Sequence, residues 1–337
     1  MPARIAINGF GRIGRAAFKI ALEREDVEVV AINDLTDTKT LAYLLKFDSA
    51  YGTYHREVTF DENNIIVDKK NYPVYSEKEP QKLPWKDLNV DVVMECTGRF
   101  TKDNAAKAHV DAGAKKVIVS APTSGEGDVQ TFLLGVNESQ YLGQNVISNA
   151  SCTTNCISPV VDIMHRNFKI LKSVMTTIHA ITATQNVVDG PLPGGGDDYR
   201  RARAAGYNMV PTTTGAAKAT TKVIPELKGL FDGISVRVPI ITGSISDITM
   251  LVEKETTAEE VNAVFKKAAE DPRYKNILAV TEDPIVSSDI IGNPHSAIVD
   301  LELTTVVDKT LVKVLAWYDN EWGYSNRMVE LAVMMTS

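Results

Sequence analysis

A chain of 337 residues exceeds what one hydrophobic core usually serves, so two domains are expected. With 44% hydrophobic and 23% charged residues it has neither the polarity of a disordered chain nor the apolar bias of a membrane protein. Its formal net charge of −7 discourages nucleic acid and acidic lipid as partners, and no apolar run approaches the ~20 residues of a membrane helix.

The N-terminus enters the alternation Arg4-Ile5-Ala6-Ile7 at once, with no leader pattern, so a cytoplasmic protein is expected. Apolar runs then alternate with amphipathic stretches. Strands are predicted at 4–8, 27–33, 90–96, 116–120 and 146–149, and helices at 13–24, 39–47 and 101–112. This is the βαβ rhythm of a Rossmann-type, doubly wound parallel sheet, an α/β fold. Residues 57–76 interrupt it with an Asn63-Asn64 turn and short β-rich runs that predict inserted antiparallel strands.

After Cys152 the texture changes. Longer alternating strands are predicted at 173–182, 234–239, 244–253, 297–307 and 311–318, the last two joined by a tight Asp308-Lys309 turn. Helices at 152–168, 218–227 and 258–269 should cover one face, giving an α+β domain with a mostly antiparallel sheet. The expected division is 1–151 and 152–317, with a C-terminal helix within 318–337 packing back on the first domain. Residues 186–208, including Gly194-Gly195-Gly196, have little periodicity and read either as a functional loop or as a surface insertion.

Gly9-Phe10-Gly11-Arg12-Ile13-Gly14 fits G-x-G-x-x-G between a predicted strand and a predicted helix, the context a dinucleotide fingerprint requires. The glycines serve a tight turn, the approach of backbone to pyrophosphate, and helix–strand packing. Asp34 ends the second strand, where a carboxylate accepts from ribose hydroxyls and repels a 2′-phosphate, favouring NAD over NADP. Arg12 and Lys78 are basic candidates for the phosphates.

Ser151-Cys152-Thr153-Thr154-Asn155-Cys156 opens a predicted helix, where a thiolate is stabilised. His179 lies on a predicted strand, from which a rigidly held imidazole would pair with the thiolate as imidazolium and serve as general base. Both also fit ordinary core positions. Cys96 and Cys156 read as inert core thiols, and the three sparse cysteines suit a reducing compartment. Five scattered histidines form no ligand cluster, so no metal is expected.

The segments Asn8–Arg15, Ser148–Asn155, Pro211–Lys218 and Trp317–Ser325 together resemble the glyceraldehyde-3-phosphate dehydrogenase family over nearly the whole chain. The resemblance implies phosphorylating oxidation of D-glyceraldehyde 3-phosphate to 1,3-bisphosphoglycerate, with NAD and inorganic phosphate, through a thioester on Cys152 activated by His179. It implies a cofactor set of Gly9, Gly11, Arg12, Ile13, Gly14, Asp34, Lys78, Ser120, Asn320 and Tyr324, with Asn320 orienting the nicotinamide amide. Thr182 and Arg237 would take the substrate's phosphate, with Arg201 assisting, and Ser151, Thr153, Thr214 and Gly215 the attacking phosphate. A homotetramer is implied, its loop 182–208 at subunit contacts. Two stretches depart from the family pattern, Ile240-Ile241-Thr242-Gly243-Ser244 and a longer 192–198. Erythrose-4-phosphate dehydrogenase is the alternative, disfavoured by Thr212–Lys218 and Asp34. A noncatalytic NAD- or nucleic-acid-binding module is disfavoured by the acidic charge.

Overall fold

The computed structural model describes residues 1–127, 129–192 and 198–336, so the glycine run 194–196 lies outside the described residues. The chain divides into two compact units. One comprises Met1–Phe132, Glu138–Ser151 and Tyr324–Ser337, the other Leu133–Asn137 and Cys152–Gly323.

The first unit runs β1 (Ala3–Asn8), α1 (Arg12–Ala21), β2 (Val27–Asn33), α2 (Thr38–Lys46), a small ribbon of β3 (Phe47–Asp48) and β4 (Gly52–Thr53), then β5 (Val58–Phe60), β6 (Asn64–Val67) and β7 (Lys70–Tyr75). It continues through β8 (Val92–Glu95), α3 (Ala108–Asp111), β9 (Lys116–Val119), β10 (Gln130–Thr131) and β11 (Val146–Ser148). The main sheet has the order β10-β11-β9-β8-β1-β2-β7-β6-β5. β1 lies parallel to both β2 and β8, and β9 parallel to β8 and β11. These strands are short apolar runs because both faces are covered: all four residues of β8 are buried, as are five of six in β1. Ala6, Ala31, Trp85, Val93 and Val117 are packed in one core cluster. The expected insert is present as an antiparallel β5-β6-β7 meander, its second turn made by Asp68 and Lys69 at φ 49° and 67°.

The helix predicted over 101–112 is not continuous. Asp103 and Asn104 both adopt left-handed backbone (φ 50° and 53°), and only a 3₁₀ turn at Ala105–Lys107 and the single turn of α3 follow. Asp103 Oδ1 accepts from Glu126 N at 2.9 Å, so local Asp/Asn turn chemistry overrides the apolar periodicity.

The second unit contains α4 (Cys152–Phe168), β12 (Ile170–His179), β13 (Val210–Thr213), α5 (Ala216–Val223), β14 (Phe231–Arg237), β15 (Ser244–Val252), α6 (Ala258–Glu270), β16 (Leu278–Thr281), β17 (Ala297–Val307) and β18 (Leu311–Tyr318). α7 (Trp322–Thr336) follows. The sheet order is β13-β14-β12-β15-β18-β17-β16. β15 alternates buried and half-buried side chains at every position, the signature of a sheet with one face on the core. α6 begins in a capping box: Thr257 Oγ1 accepts from Glu260 N at 3.3 Å, and Glu260 Oε2 from Thr257 N at 3.2 Å.

Most pairings are antiparallel, as expected, but β12 with β14 and β16 with β17 are parallel. The chain between β12 and β14 includes β13 and α5, which is ample for a crossover. The parallel register sets His179 opposite Arg237 at the C-terminal ends of both strands, and the site depends on that juxtaposition. Among the described residues no helix is long and apolar enough to cross a membrane.

Candidate active site

The glycine motif in the first unit forms the β1–α1 turn. Gly9 has φ 92°, and a Cβ there would lie 2.8 Å from Thr97 N. At Gly14 a Cβ would lie 2.1 Å from Gly9 O, so only glycine lets α1 approach the turn this closely. Gly11 faces open space within a cleft of about 370 Å³ that Asp34, Lys78, Cys96, Thr97 and Arg99 also line. Any side chain at Gly11 would project where an anion meets the start of α1. Asp34 is held by two backbone donors, Phe10 N to Oδ2 at 2.7 Å and Thr36 N to Oδ1 at 2.9 Å, each oxygen keeping a second lone pair for a ribose hydroxyl. The residues present therefore fit a dinucleotide. Gly14→Ala should weaken NAD binding by at least ~10-fold, read by titration calorimetry, while wild-type affinity would show that α1 yields without disturbing the turn.

Behind the cleft lies a polar network that sequence reasoning missed. Asn33 Nδ2 donates to Asn8 Oδ1 at 2.6 Å, and Asn8 Nδ2 in turn donates to Glu95 Oε2. Glu95 Oε1 accepts from Thr97 N at 2.8 Å, and Trp85 Nε1 donates to His109 Nδ1 at 2.9 Å, which leaves His109 Nε2–H to donate to Glu95 Oε2 at 3.0 Å. The signal available in the sequence was the polar residue closing each otherwise apolar strand: Asn8, Asn33 and Glu95. Cys96, read as an inert core thiol, follows β8 and lines the cleft rather than the core, while burial pushes its thiol up, the direction of an unreactive one. Lys78, which the sequence could not place, lines it too. Arg12 is committed to Asp48 at 2.6 Å, while Ser120 contacts the Cys96 thiol. Ile13 O accepts from Ser325 Oγ at 3.5 Å, and Tyr324 is buried with its hydroxyl on Ala150 O at 3.0 Å.

In the second unit Cys152 is the first residue of α4 and His179 the last of β12, and Cys152 Sγ lies 3.4 Å from His179 Nε2. Arg237 Nη1 stands 2.7 Å from His179 Nδ1, and Ala180 O stands 2.7 Å from the same nitrogen. Burial pushes the Cys152 thiol above its usual range, opposed by the Arg237 charge and by hydrogen bonds from Thr153 and from the cysteine's own N–H. Burial and the Arg237 charge drive His179 down to about 3. Burial and the Arg237 charge thus oppose the imidazolium expected from sequence, while the same Arg237 charge favours the thiolate. Cys156 is buried as expected, its thiol toward Ala316 O at 3.8 Å.

A histidine whose folded pKa lies near 3, below its usual 6.5, binds fewer protons in the native state than when unfolded. Its stabilising contribution is intact above about 6.5 and is lost progressively as pH falls toward 3. His179→Asn should lose less stability than wild type across that window, followed by urea denaturation. Equal pH slopes would mean that His179 titrates as an ordinary histidine.

The other anion candidates fall in two groups. Arg201 Nη1 donates to Thr184 Oγ1 at 3.1 Å, and Thr184 Oγ1 lies 2.9 Å from Thr182 Oγ1, so Thr184, absent from the sequence reading, links the two predicted residues. The Arg201 charge reaches both His179 and Arg237. Gly215 caps α5 with open space at its Cα, and Thr214 Oγ1 accepts from Ala216 N at 3.2 Å. Thr153 is buried, its hydroxyl 2.9 Å from Tyr318 Oη, which leaves chiefly its backbone for an anion. Asn320 Oδ1 accepts from Ser244 Oγ at 2.9 Å and Gly243 N at 3.2 Å, so its amide N–H₂ is the group left to present. Ser244, within the atypical 240–244 stretch, thus holds Asn320 in orientation. Among the described residues no group of His, Cys, Asp and Glu converges as a metal site.

Comparison with known proteins accords with this geometry. A family model for the NAD binding domain of glyceraldehyde 3-phosphate dehydrogenase matches residues 3–103, and one for its C-terminal domain matches 151–320. The chain belongs to the glyceraldehyde 3-phosphate dehydrogenase family. It is an NAD-dependent oxidoreductase. Glyceraldehyde-3-phosphate dehydrogenase 2 of Streptomyces avermitilis is 54% identical over 338 residues, covering 99% of each chain. Glyceraldehyde-3-phosphate dehydrogenase 1 of Bacillus cereus is 52% identical, covering 99% of this chain and 98% of its own. The Geobacillus stearothermophilus glyceraldehyde-3-phosphate dehydrogenase is 49% identical across the whole of this chain and 99% of its own. The two family matches fall one on each sheet system, Rossmann and mixed.

Proposed function

We propose that this chain oxidises D-glyceraldehyde 3-phosphate to 1,3-bisphosphoglycerate in the cytoplasm, using NAD and inorganic phosphate, as a homotetramer. In this reading residues 1–151, with the tail 318–337, form the NAD-binding domain, and 152–317 the catalytic domain. The observation that carries it is the Cys152–His179 approach of 3.4 Å with Arg237 at the far nitrogen of the imidazole.

Cys152 attacks the aldehyde carbon, the new C–S bond displacing the carbonyl π electrons onto oxygen, and His179 delivers the thiol's proton to that oxygen. His179 then takes the proton from the hemithioacetal hydroxyl as hydride leaves carbon. NAD, when bound, accepts that hydride. Asn320 would orient the nicotinamide amide, and Asp34 the adenosine ribose. The remaining thioester keeps acyl-transfer reactivity, so a phosphate oxygen attacks the carbonyl and the Cys152 thiolate leaves. Thr182, Arg201 and Arg237 would hold the substrate's phosphate, and Ser151, Thr153, Thr214 and Gly215 the attacking one, through charge-assisted and backbone hydrogen bonds. Absorbance at 340 nm with each aldehyde, with and without phosphate, tests the reading. Turnover with glyceraldehyde 3-phosphate that requires phosphate supports it; faster turnover with erythrose 4-phosphate would overturn it.

A further inference from the structure

Asn320 is buried, yet only one end of its amide is engaged. Oδ1 accepts from Ser244 Oγ at 2.9 Å and from Gly243 N at 3.2 Å, which fills both of its lone pairs. Nδ2 bonds to no group among the described residues. Thr242 Oγ1 also stands 3.3 Å from Oδ1, but its one hydrogen has a nearer acceptor in Asp319 Oδ1 at 2.8 Å. Ser244 Oγ accepts from Ala180 N at 3.1 Å, so its own hydrogen is committed to Asn320. Turning the amide over would set Nδ2–H against the N–H of Gly243, which cannot invert, and would leave the Ser244 hydroxyl to find another acceptor in a buried site.

Two features hold those donors still. Gly243 has φ 89°, and a Cβ there would lie 2.5 Å from Ser287 O, so only glycine brings this N–H to the amide. Asp319 is buried and takes four donors: Thr242 Oγ1, Glu321 N at 2.9 Å and Trp322 N at 3.0 Å on Oδ1, and Gly292 N at 2.8 Å on Oδ2. One carboxylate thereby ties the 242–244 turn, the loop at Gly292 and the start of α7 to the residue just before Asn320. Thr242 and Gly243 belong to the stretch that departs from the family pattern, so this chain builds the arrangement from residues of its own.

We infer that the Thr242-Gly243-Ser244 turn, tied down by Asp319, fixes Asn320 as a pure donor, so that the pyridine ring of the cofactor is selected by a carbonyl acceptor at its 3-position and not by the N–H₂ of its carboxamide. This rests on the reading of Asn320 as the residue that orients the nicotinamide amide, and extends it to a choice among ring substituents. A side-chain amide free to turn would serve a donor and an acceptor equally well. One whose oxygen is already saturated rewards an acceptor and leaves a donor unpaired. Thr242, Gly243, Ser244 and Asp319 are thus positioning residues that act through Asn320.

The test is titration calorimetry of the full-length protein, without aldehyde, using NAD and two of its analogues. The 3-acetylpyridine analogue keeps the carbonyl and replaces N–H₂ by methyl; the thionicotinamide analogue keeps N–H₂ and replaces the oxygen by sulfur, a weak acceptor. The ratio of the two analogue affinities is read relative to the same ratio in Asn320→Ala, which cancels other differences between the rings. In wild type this relative ratio should favour acetylpyridine by at least ~5-fold. Thr242→Val combined with Ser244→Ala leaves only Gly243 N on Oδ1 and should bring it within ~2-fold of unity. Should that double variant fail to fold, Ser244→Ala alone, which removes the shortest bond, takes its place. Asn320→Asp keeps the bonds to the turn but presents an acceptor, so it should reverse the preference. If Asn320→Ala weakens NAD while the ratio survives loss of the two hydroxyls, or if wild type favours thionicotinamide, the pure-donor inference is wrong and the reading of Asn320 stands. If Asn320→Ala binds NAD as wild type does and shows the same analogue ratio, that reading falls and the inference with it.

Discussion

Replacing Cys152 with serine should reduce phosphorylating oxidation by about 10⁴-fold or more while leaving NAD affinity within a few-fold of wild type. The Arg237 charge and the N–H groups at the start of α4 favour negative charge on sulfur, against burial that opposes it. A hydroxyl, far less acidic, gains too little from the same groups to ionise near neutral pH. The ester it would form is also a poor acyl donor, so the phosphate step fails in turn. NAD affinity should survive because the glycine turn, Asp34 and the cleft lie in the other unit. Steady-state rates at 340 nm with a parallel NAD titration check both halves. Turnover within tenfold of wild type would rule out a thioester path.

The second large effect is cofactor choice. NAD should be preferred over NADP by at least ~10²-fold in kcat/KM, about 2.7 kcal/mol. Asp34 is fixed in place by Phe10 N and Thr36 N, so it does not swing away from a 2′-phosphate. Lys78 and Arg99 line the same cleft, but Glu77 accompanies them, and the added phosphate would meet two carboxylates. Asp34→Ala should erode the preference chiefly by weakening NAD, because its ribose hydroxyls lose the carboxylate that Phe10 N and Thr36 N hold in place. Comparable efficiencies with the two cofactors on the wild type would show that the 2′-phosphate lies elsewhere.

Much of the fold was legible in the sequence because burial leaves a plain trace. The parallel strands stand out as short apolar runs, three of them closed by a polar residue, Asn8, Asn33 or Glu95, and α4 and β17 form over the ranges expected, Cys152–Phe168 and Ala297–Val307. Alternation with period two does not distinguish parallel from antiparallel pairing, however, so the β12–β14 register was invisible, and with it the placement of Arg237 against His179. The consequence was electrostatic. A histidine beside a cysteine suggests an ion pair, and the guanidinium 58 residues further along, on its other nitrogen, is a charge that sequence reasoning did not weigh against it. Cys96 shows the opposite failure: an apolar run hides that its last residue emerges into a cleft. At Asp103 and Asn104, periodicity predicted helix where side-chain turn chemistry decided otherwise. Thr184 and Ser244 carry no motif of their own and acquire meaning only from the hydroxyl and amide they hold.

The central claim is that oxidation passes through an acyl group on one sulfur. Mass spectrometry of wild-type protein mixed with NAD and glyceraldehyde 3-phosphate, then quenched in acid, tests it most directly. Without phosphate, the peptide containing Cys152 should carry the acyl group in proportion to the NADH formed, and a pulse of inorganic phosphate before the quench should remove it and release acyl phosphate. NADH formation with Cys152 unmodified, or an acyl group found on another residue, would contradict the account.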